Sequence, residues 1–164
     1  MKMKNCEKQY PNTETEAEKA DVNDIAEYIY PKDPISYIRY ADDPDLAARA
    51  ISEVLLYNTK AEGTTGAFWE MGCINCFKLA LLYVACAKGY ISEDGTHKRN
   101  MKEVYKLVGD PSFGAIIEIA MANRDYPEDE DLLIGPYTLW QNDAQKESVR
   151  ELLYNRLSER MHAN

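Results

Sequence analysis

The chain has few of the residues that common catalytic and ligand-binding chemistries demand. Histidine occurs only twice, at His97 and His162, so a cysteine nucleophile would have little choice of partner base. No glycine is followed by lysine. That removes the G-x-x-x-x-G-K-[ST] loop, whose amides and lysine cradle phosphates, and Gly63 and Gly66 stand at the wrong spacing for it. The longest unbroken apolar run, Leu79 to Ala87, is shorter than the roughly 20 residues of a membrane-spanning helix. Glu70 and Lys78 would fall inside any longer span. Two-residue alternation with hairpin signals is missing, which argues against a sheet.

Positive charge is also scarce: 19 lysines and arginines against 28 acids, for a net charge of −9 and a pI near 4.8. Nucleic-acid affinity comes largely from Lys and Arg displacing counterions from phosphates, so this balance disfavours it. His97, Lys98 and Arg99 form a lone basic cluster, read as a solvated loop. The opening MKMKNCEKQYPNTETEAEKA has lysines but no apolar stretch behind them, so no secretory signal is expected there. Four cysteines in such a chain then predict free thiols and a cytoplasmic setting, at most at the inner face of the membrane.

What is present fits one folded domain. The 164 residues are 45% hydrophobic and 29% charged, outside the composition of disordered chains. Residues 1–20 are polar and without period and read as a flexible tail, leaving 21–164 as the domain. DVNDIAEYIY predicts a short helix before Pro31, and YPKDPISYIRY predicts extended or turning chain because of its prolines.

Asp43-Pro44-Asp45 predicts a helix start, with Asp43 as N-cap, and Leu46, Ala50, Ile51, Val54, Leu55 and Asn58 follow at helical spacing. Beyond the KAEGTTG turn, Glu70, Asn75, Lys78 and Lys88 fall inside an arc of roughly 140° on an otherwise apolar helix. One narrow wet stripe on a buried helix of about 66–88 is therefore expected.

Further on, Asn100 is a predicted cap, Gly109 suits a C′ position, and Asp110-Pro111 opens another helix in which Gly114 permits close packing. Pro127 starts the next helix, which Gly135-Pro136 should break or kink. Val149, Leu152, Leu153, Leu157 and Met161 form the apolar stripe of a last helix. The expectation is an all-α fold of about six or seven helices around a central buried one.

Candidate sites are few. Cys73 and Cys76 stand at a spacing that serves zinc or redox chemistry, yet only Cys6, Cys86, His97 and His162 remain as further ligands, none in a second pair. Core packing is the expectation, with neither metal nor cofactor, and a thiol- or zinc-dependent enzyme around Cys73, Cys76 and Cys86 is the alternative. Asp125, Glu128, Asp129, Glu130 and Asp131 crowd one short segment but lack the calcium-loop spacing. They read as helix-start acids on a solvated face, or as a docking surface for a basic partner. A direct nucleic-acid binder would have to gather Lys98, Arg99, Lys146 and Arg150 on one face.

Three blocks in this order resemble the all-alpha domain of type IV secretion coupling proteins, the hexameric ATPases of bacterial conjugation. They are DPISYIRYADDPDLAARAISEVLLYNT at 33–59, FWEMGCINCFKLALLYV at 68–84 and KESVRELLYNRLSER at 146–160. The matching positions are Pro34, Tyr37, Ile38 and Arg39; Asn58 and Thr59; Phe68, Trp69 and Glu70; and Ser148, Arg156 and Leu157. In that family the domain is inserted in a motor whose nucleotide motifs this chain does not contain, so the motor activity is not implied. What the resemblance implies is a non-enzymatic substrate-recognition domain. It would recruit relaxase, relaxosome accessory or effector proteins, touch DNA only indirectly, and meet a membrane only through a parent coupling protein or secretion channel. Phe68 and Trp69 are expected to seal the end of the buried helix.

Overall fold

The computed structural model describes residues 34–57, 59, 66–87 and 99–162, without the side chains of Ala67, Arg160, Met161 and His162. The expected tail, the helix before Pro31, Cys6, Asn58, Gly63, Lys88, His97 and Lys98 lie outside those residues. Among the described residues the elements are seven helices and no strand, which is the all-α class read from the sequence. They are α1 (Pro34–Tyr40), α2 (Pro44–Leu56), α3 (Ala67–Cys86), α4 (Met101–Gly109), α5 (Phe113–Ala122), α6 (Pro127–Gln141) and α7 (Lys146–His162).

Helix α3 is the axis. Helices α1, α2, α4, α6 and α7 all pack on it, whereas α5 lies chiefly on α6. From Leu79 to Ala87 every side chain but Tyr83 and Cys86 is wholly buried, and those two nearly so. The helix from Phe68 to Cys86 is long and apolar enough to cross a membrane, and 72% of that stretch is buried inside this protein. Gly72 lets α7 come close: a Cβ there would meet Val149 Cγ2 at 3.0 Å.

Local chemistry places several boundaries where expected. Asp43 accepts from the Leu46 amide at 3.1 Å and Asn100 from the Glu103 amide at 3.0 Å, each satisfying an amide that has no partner within its helix. Gly114 faces the Trp140 ring, 3.0 Å from where its Cβ would be.

Other expectations need correction. The segment read as extended, 34–40, is helix α1, because proline's fixed φ suits a first helical position and Ile35, Tyr37 and Ile38 then reach the core. Helix α2 turns Ala47, Ala48, Ile51 and Ser52 inward and leaves Leu46 53% exposed, so its buried face is rotated from the one expected. Gly109 is the last residue of α4 rather than a left-handed cap. Its lack of a side chain admits Tyr154, whose Cε1 would lie 2.5 Å from a Cβ. Pro136 does not end α6. The residue before it is Gly135, which has no Cβ to collide with the proline ring, and the buried ring adds to the core.

Candidate functional site

The acidic segment does not form one face. Asp129 is buried at 2% exposure and lies close enough to Tyr83 for its charge to raise that phenol's pKa, after burial itself. Asp125, Glu130 and Asp131 are exposed and Glu128 is half-buried. Asp129 therefore belongs to the packing of α6 on α3 and not to a docking surface. The rest are the turn before α6 and its first residues, where acids complement the helix dipole.

The basic residues are displaced more thoroughly. Arg99, expected in a solvated loop, is buried and donates to the carbonyls of Val84 at 2.7 Å and Ala87 at 2.8 Å, at the C-terminal end of α3. Arg150 is buried and donates through Nη1 to Val108 O at 2.7 Å, in the last turn of α4, while its Nε meets Glu147 at 3.1 Å. Lys146 sits with its Nζ 5.7 Å from the centre of the Trp140 ring. A nucleic-acid face built on these residues loses Arg99 and Arg150 to the interior.

Arg156 makes a polar joint between helices α2, α3 and α7. Its Nη2 donates to Leu56 O at 3.1 Å, its Nε to Thr59 Oγ1 at 2.8 Å, and its Nη1 pairs with Glu70 at 3.1 Å. Thr59 donates in turn to Leu56 O at 2.7 Å. Three arginines thus close the C-terminal ends of three helices, where carbonyls have no partner within the helix and the dipole favours a cation. The Arg156 joint also gathers one residue from each block of the resemblance, Thr59, Glu70 and Arg156.

Cys73 lies against this joint. Burial pushes its thiol upward, and the neighbouring Arg156 offsets only part of that. Cys76 is raised well above the ordinary thiol value, by burial first and then by Cys73. Cys73, Cys76 and Cys86 are all buried thiols. Raised, covered thiols hold little thiolate, the form that attacks electrophiles or binds metal. No group of three His, Cys, Asp or Glu side chains is placed to hold a metal among the described residues. In a Cys6→Ser background, the native protein should leave all three thiols unlabelled by a soluble disulfide reagent, and all should react on unfolding. A thiol that reacts rapidly in the native protein would reinstate the thiol-enzyme alternative.

The feature that sequence reasoning missed lies at the start of α3. Phe68, expected to seal the helix end, is 55% exposed and Met71 is 43% exposed. Phe68 packs edge-on to Trp69, with ring centres 5.3 Å apart, and Trp69 alone of the pair leans on the core. The predicted wet stripe holds in part, since Glu70 is exposed as expected. Lys78 is nearly covered and paired to Asp45 at 3.2 Å, while Phe68, Met71 and half-buried Asn75 form the open line. The few polar residues of this segment do not mark the exposed line fully, because Lys78 turns to Asp45 while the apolar Phe68 and Met71 stay outside. No family model, curated protein or solved structure matches this chain.

Proposed function

We propose that this chain is a non-enzymatic docking module that binds relaxase, relaxosome accessory or effector proteins during conjugative transfer, on the cytoplasmic side of a type IV secretion channel. The observation that carries the reading is the Arg156 joint. The three blocks resembling the coupling-protein domain are far apart in the chain, yet each places a residue, Thr59, Glu70 or Arg156, in one hydrogen-bonded cluster. Buried, raised thiols and the missing Gly-Lys pair support a role in binding rather than turnover. The acidic balance supports protein partners over direct contact with phosphates.

Pull-downs using the full chain, with the relaxase and accessory proteins encoded on the same mobile element, test this. Recovery of at least one of them in nuclease-treated extract is expected. Retention of DNA alone would defeat the reading.

A further inference from the structure

We propose that the open stripe of α3, formed by Phe68, Met71 and Asn75, is the surface on which that module seats a basic amphipathic helix of its partner. The proposal rests on the docking reading and gives it a surface and a partner chemistry.

The stripe is an anomaly within its own helix. Over its last turns α3 is enclosed, yet its first turns expose Phe68 at 55% and Met71 at 43% to no described element. The steps from 68 to 71, 75 and 78 are three or four residues, so the side chains follow one line along the helix. From Phe68 to Asn75 the open line is roughly 10 Å long at 1.5 Å per residue, enough for about two turns of a second helix. An aromatic and a methionine side by side suit such a contact. One offers a large rigid face and the other adapts to its partner.

The edges of the stripe indicate the sign of the partner. At about 100° per residue, Lys78 and Gly72 fall on opposite sides of it. On the Lys78 side stands Asp45, whose carboxylate is half exposed and already holds one cation at 3.2 Å. On the Gly72 side stands Asp143, with Oδ2 3.3 Å from where a Cβ on Gly72 would be. Lys78 balances the Asp45 charge, so the negative edge is the Asp143 side, and an apolar line beside that carboxylate, on a chain of net charge −9, complements a helix with an apolar face edged by lysine or arginine. The connection running into α3, residues 60–65, is Lys-Ala-Glu-Gly-Thr-Thr and contains no large apolar side chain that would itself need this cover.

The test uses the full chain and a labelled Leu/Lys amphipathic helical peptide of roughly 15 residues, long enough to span the stripe with a turn to spare at each end. Fluorescence anisotropy reads binding, and peroxide oxidation of Met71 reads occupancy. Binding should weaken as salt rises, and the peptide should shield Met71. Phe68→Ser together with Met71→Ser should weaken binding by about tenfold or more, the scale of losing a central apolar contact. That variant should fold normally because both side chains are exposed, and its thermal midpoint checks this.

Several results would overturn the proposal. Equal binding by the double variant is one, and equal binding of a Leu/Glu peptide is another. A Met71 already shielded in the free chain would mean that the chain, or a second copy of it, covers the stripe. Loss of binding in Glu130→Gln with Asp131→Asn, but not in the α3 variant, would move docking to α6. That last result refutes the stripe while leaving the docking function intact, whereas failure of the relaxase pull-down refutes the function.

Discussion

Arg156→Met should lower the free energy of unfolding by about 3 kcal/mol, since it removes two hydrogen bonds from a charged donor, worth about 1.5–3 kcal/mol each, while Leu56 O keeps only the amide and hydroxyl of Thr59. Methionine keeps most of the apolar length, so the loss reports the guanidinium and not a cavity. The bonds to Leu56 O and Thr59 Oγ1 dominate, because both join groups covered by the fold. The ion pair counts for less. The Glu70 side chain is 51% exposed, and such pairs contribute about 0–1 kcal/mol. Glu70→Gln should therefore cost at most about 1 kcal/mol. Arg156→Lys should rescue little, because a single ammonium cannot serve α2, Thr59 and Glu70 in the fork geometry of a guanidinium. A fall in the melting temperature of roughly 10 °C is the expected scale for Arg156→Met in a chain of this size. If it costs no more than Glu70→Gln, the carbonyl contacts are not what holds the joint.

Features decided within a few residues were legible in the sequence. Asp43 and Asn100 announce helix starts because their side chains reach an amide three positions on. The density of apolar residues after Phe68 marked α3 as the central helix, since only a helix with neighbours on most sides tolerates it. Features that depend on distant partners were not legible. Arg150 and Val108 are 42 positions apart and Arg156 and Leu56 are 100 apart, so nothing beside either arginine tells a capping residue from a solvated charge. Asp129 stands among exposed or half-buried acids and is the one of them that is buried, near Tyr83. The prolines misled in the opposite direction. Pro34 and Pro136 were read by their usual effect on helices, while their cost depends on whether the position needs an N–H and on what precedes the ring. Phe68 failed for a related reason: an aromatic residue at the start of an apolar helix is assigned to the core by composition, and only the absence of a described neighbour places it outside.

Trp140→Ala should be the more damaging change, at about 3–5 kcal/mol, the range for removing a large buried ring. Trp140 is 2% exposed and meets Phe113 edge-on with ring centres 5.1 Å apart, and its benzo edge lies against Gly114. Because α5 packs mainly on α6, this contact is a main attachment of α5 to the rest of the fold, beside the hydrogen bond from the Tyr137 hydroxyl to Glu118 at 2.9 Å. Trp140→Phe should cost much less than the alanine variant. It keeps an aromatic edge beside Phe113 and discards an indole N–H that is buried without a hydrogen-bond partner, a group that itself carries a desolvation penalty. Gly114→Ala supplies the independent check. In the native background its Cβ would come within 3.0 Å of Trp140 Cζ3, so the ring must move and the substitution should destabilise. In the Trp140→Ala background that obstacle is gone, and the better helix propensity of alanine, worth about 1 kcal/mol over glycine, should make the same substitution neutral or favourable. The sign of Gly114→Ala should therefore reverse between the two backgrounds. Simple additivity in denaturant unfolding would show that the ring does not press on this glycine, and that α5 is held to α6 by other contacts.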